Sequence, residues 1–275
     1  MQPIPDSHFT YNKAANLLHG WAVKLMGTRL DVLIVDSRQE SAESCWEEIL
    51  AETCRLESLF SKFNPESELY KINKAASRQP IKVSDELWQL LIDCKRYHTL
   101  TKGYFDITLK DYNTVLLDTK TQTIAFTANE TELDLGALGK GYALAKIKQI
   151  VIRHDIQCAL INFGNSSVLG IGTHPYGDTW PIGIENPYKP KETLHIVNLK
   201  DSSLSTSGNT PTHPKHIIDP HTSHYLERKK IVSVKTANPI EAEILSTTFV
   251  ITPDTITKEI IKDFPSADYT LFDLE

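Results

Sequence analysis

Between Asp134 and Ile147 the chain reads DLGALGKGYALAKI. Gly136, Gly139 and Gly141 crowd into this stretch although glycine costs backbone entropy in ordered structure. Lys140 stands among them, directly ahead of an apolar-periodic run. A helix start offers unpaired N–H groups, and a lysine beside them adds a mobile positive charge, so the stretch suits an anion. The spacing is not that of a Walker A loop, which needs G-x-x-x-x-G-K followed by Ser or Thr. The same glycines also suit a turn that packs a helix closely on a sheet. The residues alone leave both readings open.

Three further clusters carry candidate chemistry. In KGYFDIT, Tyr104 and Phe105 precede Asp106. An aromatic pair beside a carboxylate can hold a flat heterocycle, and it is equally a core pair beside a turn-capping aspartate. In NPIEAEILSTTFVI, Glu243 and Thr247 are i and i+4, with Ser246 at i+3, so a helix gathers all three on one face. A carboxylate with hydroxyl oxygens is a ligand set for a hard cation such as magnesium. Such pairs also decorate solvated faces, but here Ile244, Leu245 and Phe249 surround them. Finally, His213, His216, His221 and His224 lie close together with Asp219 among them. Zinc is the obvious ligand for such a group. Against it, prolines interrupt the segment and no pair has i,i+4 spacing on a recognisable helix.

Several elements must position these residues. A strand enters at Gly27, nearly continuous in apolar residues from Val32 to Val35. An amphipathic helix follows over residues 41–63, with Trp46, Ile49, Leu50, Thr53 and Phe60 at helical spacing. Residues 64–73 read as a loop. Ser84 is placed to cap a second helix that buries Leu87, Leu90, Leu91 and Cys94. The glycine-rich stretch opens a third, ending near Arg153. QCALINFG and NSSVLGIG read as a hairpin, and short β runs fill residues 179–206. KKIVSVKT is a strand, Asn238 and Pro239 start a helix, and a last helix and strand close the chain. Residues 1–20 read as a polar extension and residues 21–275 as one domain. Helices come in blocks between runs of strands, which favours an α+β fold.

Composition narrows the function. The 275 residues carry a formal net charge of −6, which argues against a nucleic-acid partner because phosphate contacts need clustered Lys and Arg. No apolar run approaches the length of a transmembrane segment. The first residues lack the basic and apolar regions of a secretory signal. Cys45, Cys54, Cys94 and Cys158 form no C-x-x-C pair and read as free thiols of a reducing compartment.

In order and approximate spacing, MGT, LFSKFNPESELYKIN, KGYFDIT, DLGALGKGYA, INFGNSSVLGIG, STSG, KHIIDPHTS and EAEILSTTFV resemble the ApbE-like FAD:protein FMN transferases, from about Met26 to Ile251. The resemblance implies a single T-fold-like α+β domain whose glycine-rich stretch wraps FAD and Mg2+. Asp134 and Lys140 would contact the flavin nucleotide, and the Ala137 carbonyl the metal. Met26, Phe63, Tyr104, Phe105 and Asp106 fall where the family contacts FAD. His216 and Ile217 fall beside the transfer centre, and Glu243, Ser246 and Thr247 on the metal-binding helix turn. The implied reaction is attack by a threonine hydroxyl of an acceptor flavoprotein on the FMN-side phosphorus of FAD, with AMP leaving. Lys140 and the cation would neutralise the pyrophosphate, and His216 would serve as general base. The sequence departs from the family at Glu243, where aspartate is usual. It departs again at Gly164-Asn165-Ser166-Ser167 in place of Gly-Gly, at SGNTPT, and at Ser223 in place of glycine. These departures keep two alternatives in view: a binding-only or weakly active FAD-binding homologue, and an FAD pyrophosphatase that uses water in place of threonine. The compartment implied is cytoplasmic for the chain as written, and periplasmic or membrane-anchored if an export signal once preceded it.

Overall fold

Strand pairing starts well inside the stretch expected as an extension. The structure, a computed structural model, describes residues 6–274. Within it, β1 (Ser7–Asn12) and β2 (Leu17–Leu25) form an antiparallel hairpin, and β2 pairs onward with β3 (Thr28–Val35). Of the residues expected as a polar extension, 7–12 and 17–20 are therefore sheet; Met1–Pro5 lie outside the described residues. Polar and apolar residues alternate here, so only one face is covered and the apolar signal is diluted. Gly20 hides its purpose for a related reason. A Cβ there would fall 2.6 Å from ring atoms of Trp46, so the bare backbone is the seat for the indole.

Helix α1 (Gln39–Phe60) follows, then α2 (Glu68–Ala75), β4 (Ile81–Lys82) and α3 (Asp85–Leu100). The expected loop over residues 64–73 is thus largely a helix. Ser67 caps it by accepting the Tyr70 N–H at 3.0 Å, a local signal outweighed in the sequence by the Asn-Pro pair just before it. Ser84 does occupy the cap position of α3, but its hydroxyl makes no cap bond. It donates instead to Glu68, whose carboxylate also accepts the Ser84 N–H at 2.6 Å and so ties α2 to the start of α3.

Strands β5 (Val115–Asp118) and β6 (Thr123–Phe126) form a small sheet with β4. Beyond them lie α4 (Gly139–Arg153), β7 (Cys158–Phe163), β8 (Ser167–Ile171), β9 (Trp180–Glu185), β10 (Thr193–Leu199) and β11 (Ser202–Gly208). The chain closes with the two-residue pair β12 (Ile218–Asp219) and β13 (His224–Tyr225), then β14 (Lys230–Thr236), α5 (Pro239–Ile251), α6 (Asp254–Ile260) and β15 (Asp268–Asp273).

The main sheet has eight strands in the order β1-β2-β3-β7-β8-β11-β14-β15, every neighbouring pair antiparallel. Helices α1, α4 and α5 cover one face. Leu18, Val32, Ile34, Ile161, Phe163 and Val234 from the sheet meet Trp46, Ile49, Leu144, Ile147 and Phe249 from the helices in one continuous core. The β9–β10 hairpin covers part of the other face, where Trp180 and Leu199 pack on Val168 and Leu204. All of β8 is buried, which is why it reads as a nearly unbroken apolar run. The fold is α+β, as expected. All four cysteines are free. No helix among the described residues is long and apolar enough to cross a membrane.

Candidate functional site

A cleft of about 650 Å³ opens where the β2–β3 turn, the end of α1 and the glycine-rich turn before α4 converge. The β2–β3 turn has a left-handed backbone at Lys24, Met26 and Gly27. Such a conformation strains a non-glycine residue, and Glu57 of α1 supports it by accepting the Met26 N–H at 3.1 Å. Burial pushes the Glu57 carboxyl above its usual range, opposed by that same hydrogen bond. After α1, the Ser61 hydroxyl accepts the N–H groups of Phe63 and Asn64. The resulting bend leaves Phe63 81% exposed at the cleft. Lys62 lies 5.3 Å from the centre of that ring and 2.8 Å from Asp134.

Asp134 shapes the opposite wall. Its Oδ1 accepts the Gly136 N–H at 2.7 Å and so forms the turn, while its Oδ2 holds Lys62. Gly136 and Gly139 line the cleft, which lets a ligand reach the main chain. Gly141 serves packing instead. A Cβ on it would fall 2.5 Å from the Pro239 carbonyl and 3.0 Å from the Glu243 Cβ. The glycine-rich stretch therefore does both things the sequence left open: two glycines face the cleft and one seats α4 on α5. Gly141→Ala is expected to destabilise the protein by about 1–3 kcal/mol, the usual cost of overpacking, because the obstacle is main chain. Denaturant unfolding with an unchanged midpoint would contradict this.

That close approach brings Lys140 onto Glu243, and the two form an ion pair. Glu243 and Ser246 are buried, so the solvated-face reading of this helix turn does not hold. The second carboxylate oxygen of Glu243 accepts from Ser167 of β8 at 2.5 Å and from Ser205 of β11 at 3.3 Å. Ser246 lies 3.0 Å from Ser205 and 2.8 Å from Ser207, which in turn lies 3.1 Å from Thr247. Three elements thus meet in a network of hydroxyls around one carboxylate. A hard divalent cation fits this donor chemistry, since every donor atom is oxygen and one is charged. The carboxylate oxygen it would use now carries Lys140.

The structure gathers Met26, Phe63, Asp134 and Lys140 in one cleft and sets Glu243, Ser246 and Thr247 beside Lys140. Ala137 lies within the same turn, between two cleft-lining segments. It does not gather the rest. Phe105 is a core side chain, and Asp106 caps a turn, accepting from Thr108 and from the Tyr112 N–H. For that cluster the core-and-turn alternative describes the side chains. Tyr104 packs against His221, ring centres 4.3 Å apart. Ile217 is buried, with its carbonyl accepting the Leu226 N–H. His216 stands on an exposed loop. Its Nδ1 lies 2.9 Å from the His213 carbonyl. A carbonyl only accepts, so Nδ1 carries the hydrogen and Nε2 keeps a lone pair. The four histidines are not assembled into a zinc site: among the described residues no three His, Cys, Asp or Glu come together as ligands.

Lys24, Glu57, Lys62, Ser167, Ser205 and Ser207 join the site without having been expected there. Glu57 and Lys62 had a local signal, being within one helical turn of Phe60 and next to Phe63. The serines fall in the INFGNSSVLGIG and STSG motifs, but nothing local paired them with Glu243, because strand residues meet α5 only through sheet order.

Known proteins resemble this chain over nearly its full length. The ApbE family model matches residues 26–116 and 109–270. The FAD:protein FMN transferase of Chlamydia muridarum is 26% identical over 231 residues, 70% of this chain and 71% of that protein. The protein of the same name from Klebsiella pneumoniae is 24% identical over 270 residues, 84% of this chain and 82% of its own length. In fold, the crystal structure of the ApbE protein from Thermotoga maritima superposes with a TM-score of 0.81 at 22% identity, covering 98% of this chain and 97% of that one. The flavin transferase ApbE from Vibrio cholerae gives 0.77 at 17% identity, covering 98% and 94%.

Proposed function

Since the chain belongs to the ApbE family, we propose that it transfers FMN from FAD to a threonine of an acceptor flavoprotein, with magnesium bound and AMP released. The observation that carries this reading is the Lys140–Glu243 pair at the foot of the cleft, joining the glycine-rich helix start to the hydroxyl-rich turn of α5. Lys24, Lys62 and Lys140 line the cleft together with Glu57 and Asp134; Lys62 and Lys140 are held by Asp134 and Glu243, and an anionic ligand would draw on them by competing with those partners. Met26 and the exposed Phe63 offer apolar surface to a planar ring.

The chain's own residues divide the work. Lys140, at the start of α4, meets the pyrophosphate with its positive charge. Glu243, Ser246, Thr247 and the Ala137 carbonyl would hold magnesium. When bound, that ion neutralises charge that builds on the phosphate oxygens as the P–O bond breaks. His216 removes the threonine proton at Nε2. The acceptor oxygen bonds to the FMN-side phosphorus, the pyrophosphate P–O bond breaks, and AMP leaves with the bridging oxygen.

Lys140→Ala is expected to weaken FAD binding by about 1–3 kcal/mol, the worth of a charge-assisted contact. Titration of flavin fluorescence reads this directly, and an unchanged affinity would take Lys140 out of the site. The reaction itself is tested by incubating the protein with FAD, magnesium chloride and a threonine-bearing acceptor domain, then separating the products. Fluorescent acceptor and AMP in equal amounts support transfer. AMP with free FMN, independent of acceptor, makes it a pyrophosphatase instead. Bound FAD with no product makes it a binding protein.

A further inference from the structure

We infer that Ser167 is a positioning residue that adapts this site to a glutamate, and this rests on the reading of Glu243 as a cation ligand. Glutamate is one methylene longer than aspartate, which displaces its oxygens by more than an ångström unless something redirects the side chain. The structure shows what redirects it. Ser167 Oγ on β8 donates to Glu243 Oε2 at 2.5 Å, and Ser205 Oγ on β11 reaches the same oxygen at 3.3 Å. Ser167 and Ser205 are both buried, so water does not compete for these bonds. With Oε2 anchored to the sheet, Oε1 alone is presented toward the glycine-rich turn, where Lys140 meets it. One cation therefore already sits at the face that a second would use. The two departures from the family pattern, Glu243 and the serines after Gly164, are thus halves of one arrangement joined by a hydrogen bond across 76 residues.

Groups that hydrogen-bond a metal's ligand from behind typically change metal affinity by about tenfold to a hundredfold when removed. The test is calorimetric titration of magnesium into the FAD-loaded protein, made in two backgrounds. Ser167→Ala should weaken magnesium binding about tenfold when Glu243 is present. In a Glu243→Asp background the shorter carboxylate no longer reaches β8, and adding Ser167→Ala should change the affinity less than twofold. FAD affinity measured without metal should also move less than twofold, which a general collapse of the cleft would not allow. Should the alanine variant fold poorly, Ser167→Cys keeps the volume with a weaker donor and should give an intermediate loss. An unchanged magnesium affinity in Ser167→Ala, or an equal loss in both backgrounds, overturns the proposal. Failure of the underlying reading looks different: there Glu243→Gln itself would leave magnesium affinity unchanged.

Discussion

His216→Ala is expected to lower the rate of FMN transfer by about a hundredfold or more, in the range of lost general-base catalysis. The expectation rests on the resemblance, which sets His216 beside the transfer centre, and a hydrogen bond sets its tautomer. Donation from Nδ1 to the His213 carbonyl fixes the ring's tautomer and leaves Nε2 as the only nitrogen able to take a proton. An imidazole is the side chain best suited to accept one near neutral pH. Two nearby histidines serve as controls. His221 lies against Tyr104 and the exposed His224 belongs to a two-residue strand. Their alanine variants should transfer FMN within about twofold of the parent, since neither carries general-base chemistry. Single-turnover release of AMP, with acceptor in excess, separates the three. Equal losses in all of them, with zinc found in the purified protein, would overturn the assignment and restore the histidine-cluster reading.

How much of this was legible in the sequence depends on the range of the interaction. Helix α5 was readable because its determinants are adjacent: Asn238 accepts the Ile240 N–H at 3.1 Å and Pro239 opens the first turn. The i,i+4 placement of Glu243 and Thr247 was readable for the same reason. Strands β1 and β2 were not, because their alternating pattern dilutes the apolar signal and the reason for Gly20, the indole of Trp46 seated over it, comes from a later helix. In KGYFDIT the sequence left two readings open, and the local hydrogen bonds show how the side chains are used. Tyr104, Phe105 and Asp106 offer attractive types, but the Thr108 and Tyr112 amides, two and six residues on, already use the carboxylate. The partners of Glu243 were beyond reach. Lys140 is 103 residues away, Ser167 76 and Ser205 38, and only the sheet order brings β8 and β11 beside α5.

Glu243 should decide whether the chain turns over. Glu243→Gln is expected to lower magnesium-dependent transfer by about a hundredfold or more, because the one charged donor of the network is lost while its shape is kept. Glu243→Asp keeps the charge but withdraws it from Ser167 and Ser205, and should fall between the two, about tenfold below the parent. Stability separates this role from a purely structural one. The ion pair is lopsided: the Lys140 side chain is 21% exposed and that of Glu243 only 6%. Removing the carboxylate leaves an ammonium that can swing into the cleft and stay hydrated. Removing the ammonium, as in Lys140→Met, leaves a carboxylate with nowhere to go, and uncompensated buried charge costs about 3–5 kcal/mol. Denaturant unfolding should therefore find Lys140→Met much less stable than Glu243→Gln, while magnesium titration of transfer should find Glu243→Gln the more damaged in its metal response. Identical magnesium curves for the glutamate, aspartate and glutamine forms would show that Glu243 serves the fold through Lys140 and the serines, and that the cation is held elsewhere.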